Sequence, residues 1–470
     1  MGDRPCSPSW EPRPAGGAFP VGDHDLADRA SSAPEEARGR DGAETRVIAR
    51  ARAAGGGAAR PPGAGLGNTW ASLPAEPGHP GGEADEAQLA DERRRARHGL
   101  RRGLRKVTSL DSLRRCGKVT RTGTGAPILR TGGGHAAGFT GLVSCGSVWA
   151  CPCCAAKVAA ERASDLATVL EKVHAEGGSS WMVTLTLRHN ASQPLAELWS
   201  AVAKAWERVT SGRGWTVDSV GLRGWAKVTE VTHSPRNGWH THLHAVLCFG
   251  QDLDEDVAQR IAMRMWRRWD AQLRRDGLDS TPVHGVQAER VRPGHNGLAE
   301  YFVKAAREVT SPITKESRAG RSPFAIGRDA AETGDARDIA LWREFEQASH
   351  RRRQLTWSTK SRDLRAWAGL RRERTDEEIA QDEGAGEDQI ALTRETWSEI
   401  GDTTASDELR WVADRDGIVA AGRWLDARGL TWSSPAAAPR RGRVCDRPRP
   451  VSGARAVLVA PRRGGVSGRA

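Results

Sequence analysis

Apolar side chains recur at two distinct spacings through the middle of the chain. Over 155–176, Val158, Leu166, Val169, Leu170 and Val173 fall at helical intervals, and Gly177 and Gly178 end the run. From Ser180 to Leu187 the spacing drops to two: Trp181, Val183, Leu185 and Leu187 face one way, Met182, Thr184 and Thr186 the other, which predicts a strand. Pro194 opens a helix carrying Leu195, Leu198, Val202, Trp206 and Val209. Trp225 to His233 and Thr241 to Phe249 read as two strands joined by a turn-rich SPRNG. Residues 255–276 form a helix with Val257, Ile261, Met265, Trp269 and Leu273 inward; Val283 to Val291 read as a strand, and 297–309 as a helix on Leu298, Phe302, Ala305 and Val309.

The order β-α-β-β-α-β plus a helix is the split βαβ, an α+β, ferredoxin-like/RRM-like antiparallel sheet. Its first and third strands are central, with the second beside the third. Beyond 310 the pattern weakens. Residues 337–349 read as helix, and 395–430 as two or three short helices containing Leu409, Val412, Ile418, Val419, Trp424 and Leu425.

Composition divides the chain further. Residues 1–92 and 436–470 are rich in Gly, Ala, Pro and Arg without apolar periodicity, and are expected to be disordered. Between them the expected units are a basic arm with a Cys-rich module (93–155), the α+β core (156–310), a basic extension (311–375), an acidic linker (376–394) and a small helical C-terminal region (395–435). No apolar segment reaches signal-peptide or membrane-span length, so the expectation is a cytoplasmic protein with no membrane partner. The net charge of +12 points to a polyanionic partner, although an Arg-rich composition accounts for part of it. Arg101, Arg102 and Arg105 stand in one basic run; Arg351, Arg352 and Arg353 stand in another, beside Trp357 and Trp367. Basic and aromatic side chains in alternation suit a nucleic-acid strand; a solvated face is the alternative for either run.

Eight cysteines in a reducing compartment point to metal rather than disulfides. Cys116, Cys145, Cys151 and Cys154 can supply four thiolates to one structural Zn²⁺, with Cys153 spare. The predicted third strand carries His240, His242 and His244 at period two, on one face, and Glu230 lies mid-strand next door. Imidazoles so placed are expected to converge on one ion. His242 and His244 are the firmer ligands and His240, near the turn, is a ligand or a support. With a carboxylate the set suits Mg²⁺ or Mn²⁺ and leaves open positions for phosphate and water. A surface strand of hydrogen-bonded histidines, and a solvent-facing Glu230, are the alternatives. Tyr301 is the single tyrosine. It shares a helix face with Lys304, which suits attack on a phosphodiester, or the rim of an amphipathic helix.

Several passages together resemble the rolling-circle replication initiators of actinobacterial plasmids, in the HUH endonuclease superfamily. They are GLVSCGSVWACPCCAAKVAAERASDL (141–166), VTLTLRH (183–189), EVTHSPRNGWHTHLHAVL (230–247) and AEYFVKA (299–305), with GRSPFAI and LWREFEQASHRRRQLTWS between 320 and 358. The resemblance covers about 140–365. It implies an HUH core with His242 and His244 as the histidine pair, Tyr301 as nucleophile and Lys304 on the phosphate. It also implies metal-dependent nicking of one origin strand, a 5′-phosphotyrosine and a free 3′-OH, and later rejoining. The implied partners are origin DNA, single-stranded at the nick, with a host helicase and polymerase. Some relatives carry a glutamate where this chain has Gly297. A relaxase or transposase with the same chemistry, or a non-enzymatic zinc-dependent DNA-binding regulator, are the rival readings.

Overall fold

The computed structural model describes residues 83–132, 135–292, 320–384 and 386–435. Tyr301, Lys304 and the predicted helix over 297–309 lie outside the described residues, as do 1–82 and 436–470.

Two antiparallel sheets organise the described residues. The five-stranded sheet contains β3 (Ser179–Thr186), β4 (Leu222–Ser234), β5 (Gly238–Phe249), β6 (Val286–Val291) and β7 (Leu355–Trp357), in the order β6-β3-β5-β4-β7. β3 and β5 are central because both faces of these strands are apolar through most of their length. Trp181, Val183, Leu185, Leu243, Ala245 and Leu247 pack on α4 (Leu195–Val209) and α6 (Glu255–Arg275). Met182, Val246, Cys248 and Val228 pack on α3 (Pro152–Ala175) through Ala159, Leu166, Leu170 and Val173. Helices therefore cover one face fully, while on the other α3 covers the half that holds Val246 and Cys248 and leaves the half nearer the β4–β5 turn to polar side chains.

The second sheet has the order β2-β1-β8-β9, built from β1 (Ile128–Gly132), β2 (His135–Thr140), β8 (Glu387–Leu392) and β9 (Trp432–Ser433). α12 (Arg394–Ile400), α13 (Ala405–Arg415) and α14 (Ile418–Asp426) close over it with a core of Leu129, Ile390, Leu392, Leu409, Ala421 and Leu425. The Cys-rich segment and the C-terminal region are therefore one packed unit, where the sequence reads as two. The expected acidic linker is part of it. Thr375 and Glu378 form a reciprocal cap on α11 (Asp376–Gln381), and Asp388 on β8 pairs with Arg130 at 2.8 Å. Several of its exposed carboxylates, Glu378, Asp382 and Asp388 among them, pair with neighbouring arginines.

The N-terminal boundary also moves. α1 (Glu83–Val107) starts inside the segment expected to be disordered, and buries Leu100, Leu104 and Val107 against Ile326 and Ala330 of α8 (Pro323–Thr333) and Trp342 of α9 (Ala336–Ser349). A smaller correction concerns 283–291. Pro282–Gly285 turns as a short helix, α7, and the strand begins at Val286. Val283 matched period two by chance and is 70% exposed. α2 (Asp111–Arg115), α5 (Gly212–Asp218) and α10 (Leu364–Trp367) complete the helices among the described residues. None of these helices is long and apolar enough to cross a membrane.

Candidate functional site

Cys116 caps the C-terminus of α2, Cys145 follows β2, Cys151 caps the N-terminus of α3 and Cys154 sits in its first turn. Three separate stretches of chain thus deliver four thiols whose ligand atoms all lie within 4.8 Å of one another. Three of the Sγ–Sγ separations, Cys116–Cys151, Cys116–Cys154 and Cys145–Cys154, are 3.7 Å. A tetrahedron with metal–sulfur bonds of about 2.3 Å has edges of about 3.8 Å, so the quartet fits a metal such as zinc without rearrangement. Cys153, the spare thiol of the sequence, stays outside the quartet and faces Arg101 and His98.

The first basic run serves this centre. Burial opposes the charge on Arg101, but the thiols of Cys153, Cys116, Cys151 and Cys154 outweigh it and hold the guanidinium above its ordinary pKa. Gly117, at φ 64°, lets that guanidinium lie against its Cα; a Cβ there would sit 2.2 Å from Arg101 Nη1. Arg105 pairs with Asp402 and donates to the Cys116 carbonyl. Arg102 donates to Asp407 Oδ2 at 2.6 Å, and His98 Nδ1 lies 2.7 Å from Asp407 Oδ1. Arg101, Arg102 and Arg105, read from the sequence as DNA contacts, are therefore engaged inside the protein. A basic stretch and an acidic one far apart in sequence are complementary surfaces of α1 and α13.

The histidines stand on the polar half-face of the five-stranded sheet. Antiparallel register sets Thr184 opposite His244, Thr186 opposite His242, Glu230 opposite His242 and Thr232 opposite His240. Thr184 Oγ1 lies 2.9 Å from His244 Nδ1, and Thr186 Oγ1 2.9 Å from His242 Nδ1. The two threonines thus fix both rings and leave each Nε2 turned away from β3, a supporting arrangement typical of metal-binding imidazoles. His244 Nε2 meets Glu230 Oε2 at 2.8 Å. His242 is 7% exposed and His244 fully buried, so the surface-strand alternative does not hold. Burial, then the neighbouring His189, lowers the His240 pKa to about 4; burial and His240 push His242 well below its usual value. Neutral rings of this kind keep a lone pair for a cation.

The rings form a row rather than a closed cage. Centroids are 4.0 Å apart for His240–His242 and 6.0 Å for His242–His244, the latter pair stacked at 14°. Among the described residues only the thiol quartet brings three or more His, Cys, Asp or Glu ligand atoms within 4.8 Å of one another. The expected convergence of the imidazoles is thus not present in this conformation. His189, which sequence reasoning missed, joins the row: its Nε2 hydrogen-bonds His240 Nδ1, and its Nδ1 lies 2.9 Å from the Asn237 carbonyl. It lies past the end of β3, where strand parity no longer predicts facing.

Of the second basic run, Arg352 donates to the Ala348 carbonyl at 2.7 Å and lies 5.1 Å over the Trp199 ring. Arg353 is exposed, 3.7 Å from Glu373. Arg351 is exposed, on a left-handed backbone at φ 57°.

Comparison with known proteins bears on the whole arrangement. A protein named Protein rep from Streptomyces lividans is 28% identical over 348 residues, covering 59% of this chain and 76% of its own. One named Neomycin resistance protein, from Streptomyces cyanogenus, is 28% identical over 152 residues, 27% of this chain and 35% of its own. A further Protein rep, from Lentilactobacillus hilgardii, is 21% identical over 224 residues, 46% and 63% of the two chains. No solved structure matches. The Rep_1 model, described as Replication protein, matches residues 143–405, a span that takes in three of the four thiols, the histidine row, Glu230 and the segment with Tyr301, so this chain belongs to that replication protein family.

Proposed function

We propose that this protein initiates rolling-circle replication of a plasmid by nicking one strand of origin DNA. The observation that carries the reading is the row of imidazoles with Glu230, held by Thr184 and Thr186 on the half of the sheet face that α3 does not reach. The order β6-β3-β5-β4, with the first and third strands of the unit central, supports a ferredoxin-like HUH core. Imidazole nitrogen and carboxylate oxygen fit a divalent ion, Mg²⁺ or Mn²⁺, on His242, His244 and Glu230, with His240 supporting. Bound there, the ion supplies Lewis acidity toward a phosphate oxygen. The thiol quartet is read as a structural zinc site, on its tetrahedral spacing.

Tyr301 attacks the scissile phosphorus in line. The phenol gives up its proton, the bond from phosphorus to the 3′ oxygen breaks, and that oxygen leaves protonated as a free 3′-OH while the 5′ phosphate stays on tyrosine. A phenol of pKa near 10 is about one part in a thousand ionised at pH 7, so its proton needs an acceptor in the site. Lys304, three residues on in the sequence, is read as neutralising the phosphate. The ester link conserves the bond energy for rejoining. The 3′-OH is extended by a host polymerase and the duplex opened by a host helicase. Arg351 and Arg353, on the exposed segment after α9, are read as contacts to the strand.

The test is Tyr301→Phe. The variant is expected to bind a single-stranded origin oligonucleotide as well as the wild type and to form no covalent adduct on a denaturing gel. An adduct in that variant overturns the nucleophile.

A further inference from the structure

A cavity of about 330 Å³ opens between the Cys145–Ala150 loop, α3 and the segment following α9. That is near the low end of ligand sites, about 300 Å³, room for one mononucleotide and no more. Two side chains that line it are more than nine-tenths buried and hold polar atoms without hydrogen-bond partners. One is Arg162, 5% exposed, whose Nη1 lies 3.2 Å from Glu373 Oε1 without the alignment of a hydrogen bond. The other is Gln354, 9% exposed, whose Oε1 has no partner. Roughly nine in ten buried polar atoms are paired in folded proteins. An acceptor left open, and a donor held by an ion pair without a hydrogen bond, call for a ligand that brings the opposite pair.

The surroundings narrow its chemistry. Glu373, Asp376 and Glu377 line the cavity beside five arginines, and Glu373 and Asp376 already hold Arg162, so a phosphate inside would have to displace those carboxylates. A neutral group with a flat apolar body meets no such penalty, and the Trp149 indole lines the wall while its Nε1 pins the Arg352 carbonyl at 2.8 Å. Arg351 lines the cavity too. It is exposed, on a left-handed backbone, and makes no ion pair or hydrogen bond among the described residues.

We propose that this cavity receives one unstacked nucleobase of the DNA strand, a reading that rests on the nicking function above. Arg162 Nη1 donates to a ring nitrogen or carbonyl of the base. Gln354 Oε1 accepts from an exocyclic amine or ring N–H, and Arg351 meets the adjoining phosphate. Every base presents neighbouring donors and acceptors on its edge, so the pocket fixes the register of the strand before it selects a sequence.

The experiment uses the full-length Tyr301→Phe protein and single-stranded origin oligonucleotides carrying 2-aminopurine at successive positions. At one position the fluorophore is expected to be bright, as when unstacked, and shielded from acrylamide. Gln354→Leu is expected to remove the shielding and weaken binding about tenfold. If a melt shows that variant unfolded, Gln354→Met, of nearly the same shape, replaces it with the same expectation. Arg351→Ala is expected to keep the shielding and reduce the salt dependence by about one released ion. Shielding at no position, or shielding and affinity unchanged in the Gln354 variant, overturns the proposal. So does a free deoxynucleoside monophosphate that abolishes the shielding while the strand stays bound, because the site then belongs to a soluble nucleotide. A covalent adduct in the wild type without shielding removes this inference and leaves the nicking reading. Shielding without any adduct in the wild type does the reverse.

Discussion

Cys116, Cys145, Cys151 and Cys154 come from separate places in the chain and meet at a point, whereas His240, His242 and His244 come from one strand and stand in line. The difference lies in what delivers the ligands. Alternate residues of a strand are about 6.6 Å apart along it, so a strand alone offers a row, and other elements must close it. The quartet is closed by a helix end, a loop and the first turn of α3, with no position left for a substrate. The row is flanked on one side by Glu230 and on the other by His189, and lies, without closing into a cage, on the half-face α3 does not reach. Closed sites suit folding and open ones suit chemistry; the quartet has the first form, and the row is proposed for the second.

The comparison is sharpened most by breaking the closed site. Cys154→Ser, or removal of bound metal by a strong chelator, is expected to lower Tm by roughly 10 °C or more, since structural zinc carries about 10–16 kcal/mol of apparent binding energy in small modules. Calorimetry with a measurement of metal content checks it. A variant that loses the metal and keeps its Tm refutes the structural role. Next in size is Asp407→Ala, which strands Arg410 and Arg102 and is expected to cost about 3–5 kcal/mol in a urea melt. Burial alone would raise the Asp407 pKa. The hydrogen bond with His98 and the charges of Arg410 and Arg102 outweigh it and hold the carboxyl below its ordinary range. A depressed acid stabilises above its unfolded pKa, about 3.9, and this contribution is lost as pH falls below that value. Wild type and Asp407→Ala should therefore differ in stability at pH 6 and approach each other toward pH 2.

At the open site the expected signature is reversed. His242→Ala should reduce nicking of a single-stranded oligonucleotide at least about 100-fold while Tm moves by less than about 2 °C. A large loss of stability with normal nicking would make the row structural. The smallest effect belongs to Gly117→Ala. Its positive φ and the Arg101 guanidinium oppose a Cβ, for about 1–3 kcal/mol, and nicking should stay unchanged. A fully tolerated alanine would mean that Arg101 is not confined against the quartet.

The long strands and helices between 152 and 291 were legible because their apolar periods are regular, unlike the short helices at Gly212–Asp218 and Pro282–Gly285, and the register then placed His242, His244 and Glu230 on one face. The thiol quartet was legible too, although Cys153 and Cys154 could be told apart only by which way the first turn of α3 faces. What the sequence hid depends on partners distant along the chain. β1 and β2 carry Gly and Arg in place of a strong alternation, and gain their order from β8, some 250 residues later. Arg102 and Arg105 looked like a surface for polyanions because Asp407 and Asp402 are 305 and 297 residues away. His189 has no periodic signal at all.

That distance has a consequence for how the molecule is made. The first described helix and the last described strands belong to one unit, tied by Arg94 to Asp414 across 320 residues and by β1 to β8. Long loops must be closed before such contacts repay their entropy, which makes this kind of topology slow to assemble. On the ribosome α1 emerges early; its apolar face waits for α8 and α9, and its arginines wait longer still, for Asp402, Asp407 and Asp414. A premature stop anywhere before about residue 387 would release a nascent chain with β1 lacking β8 and the basic side of α1 unmatched, a natural target for chaperones and proteases.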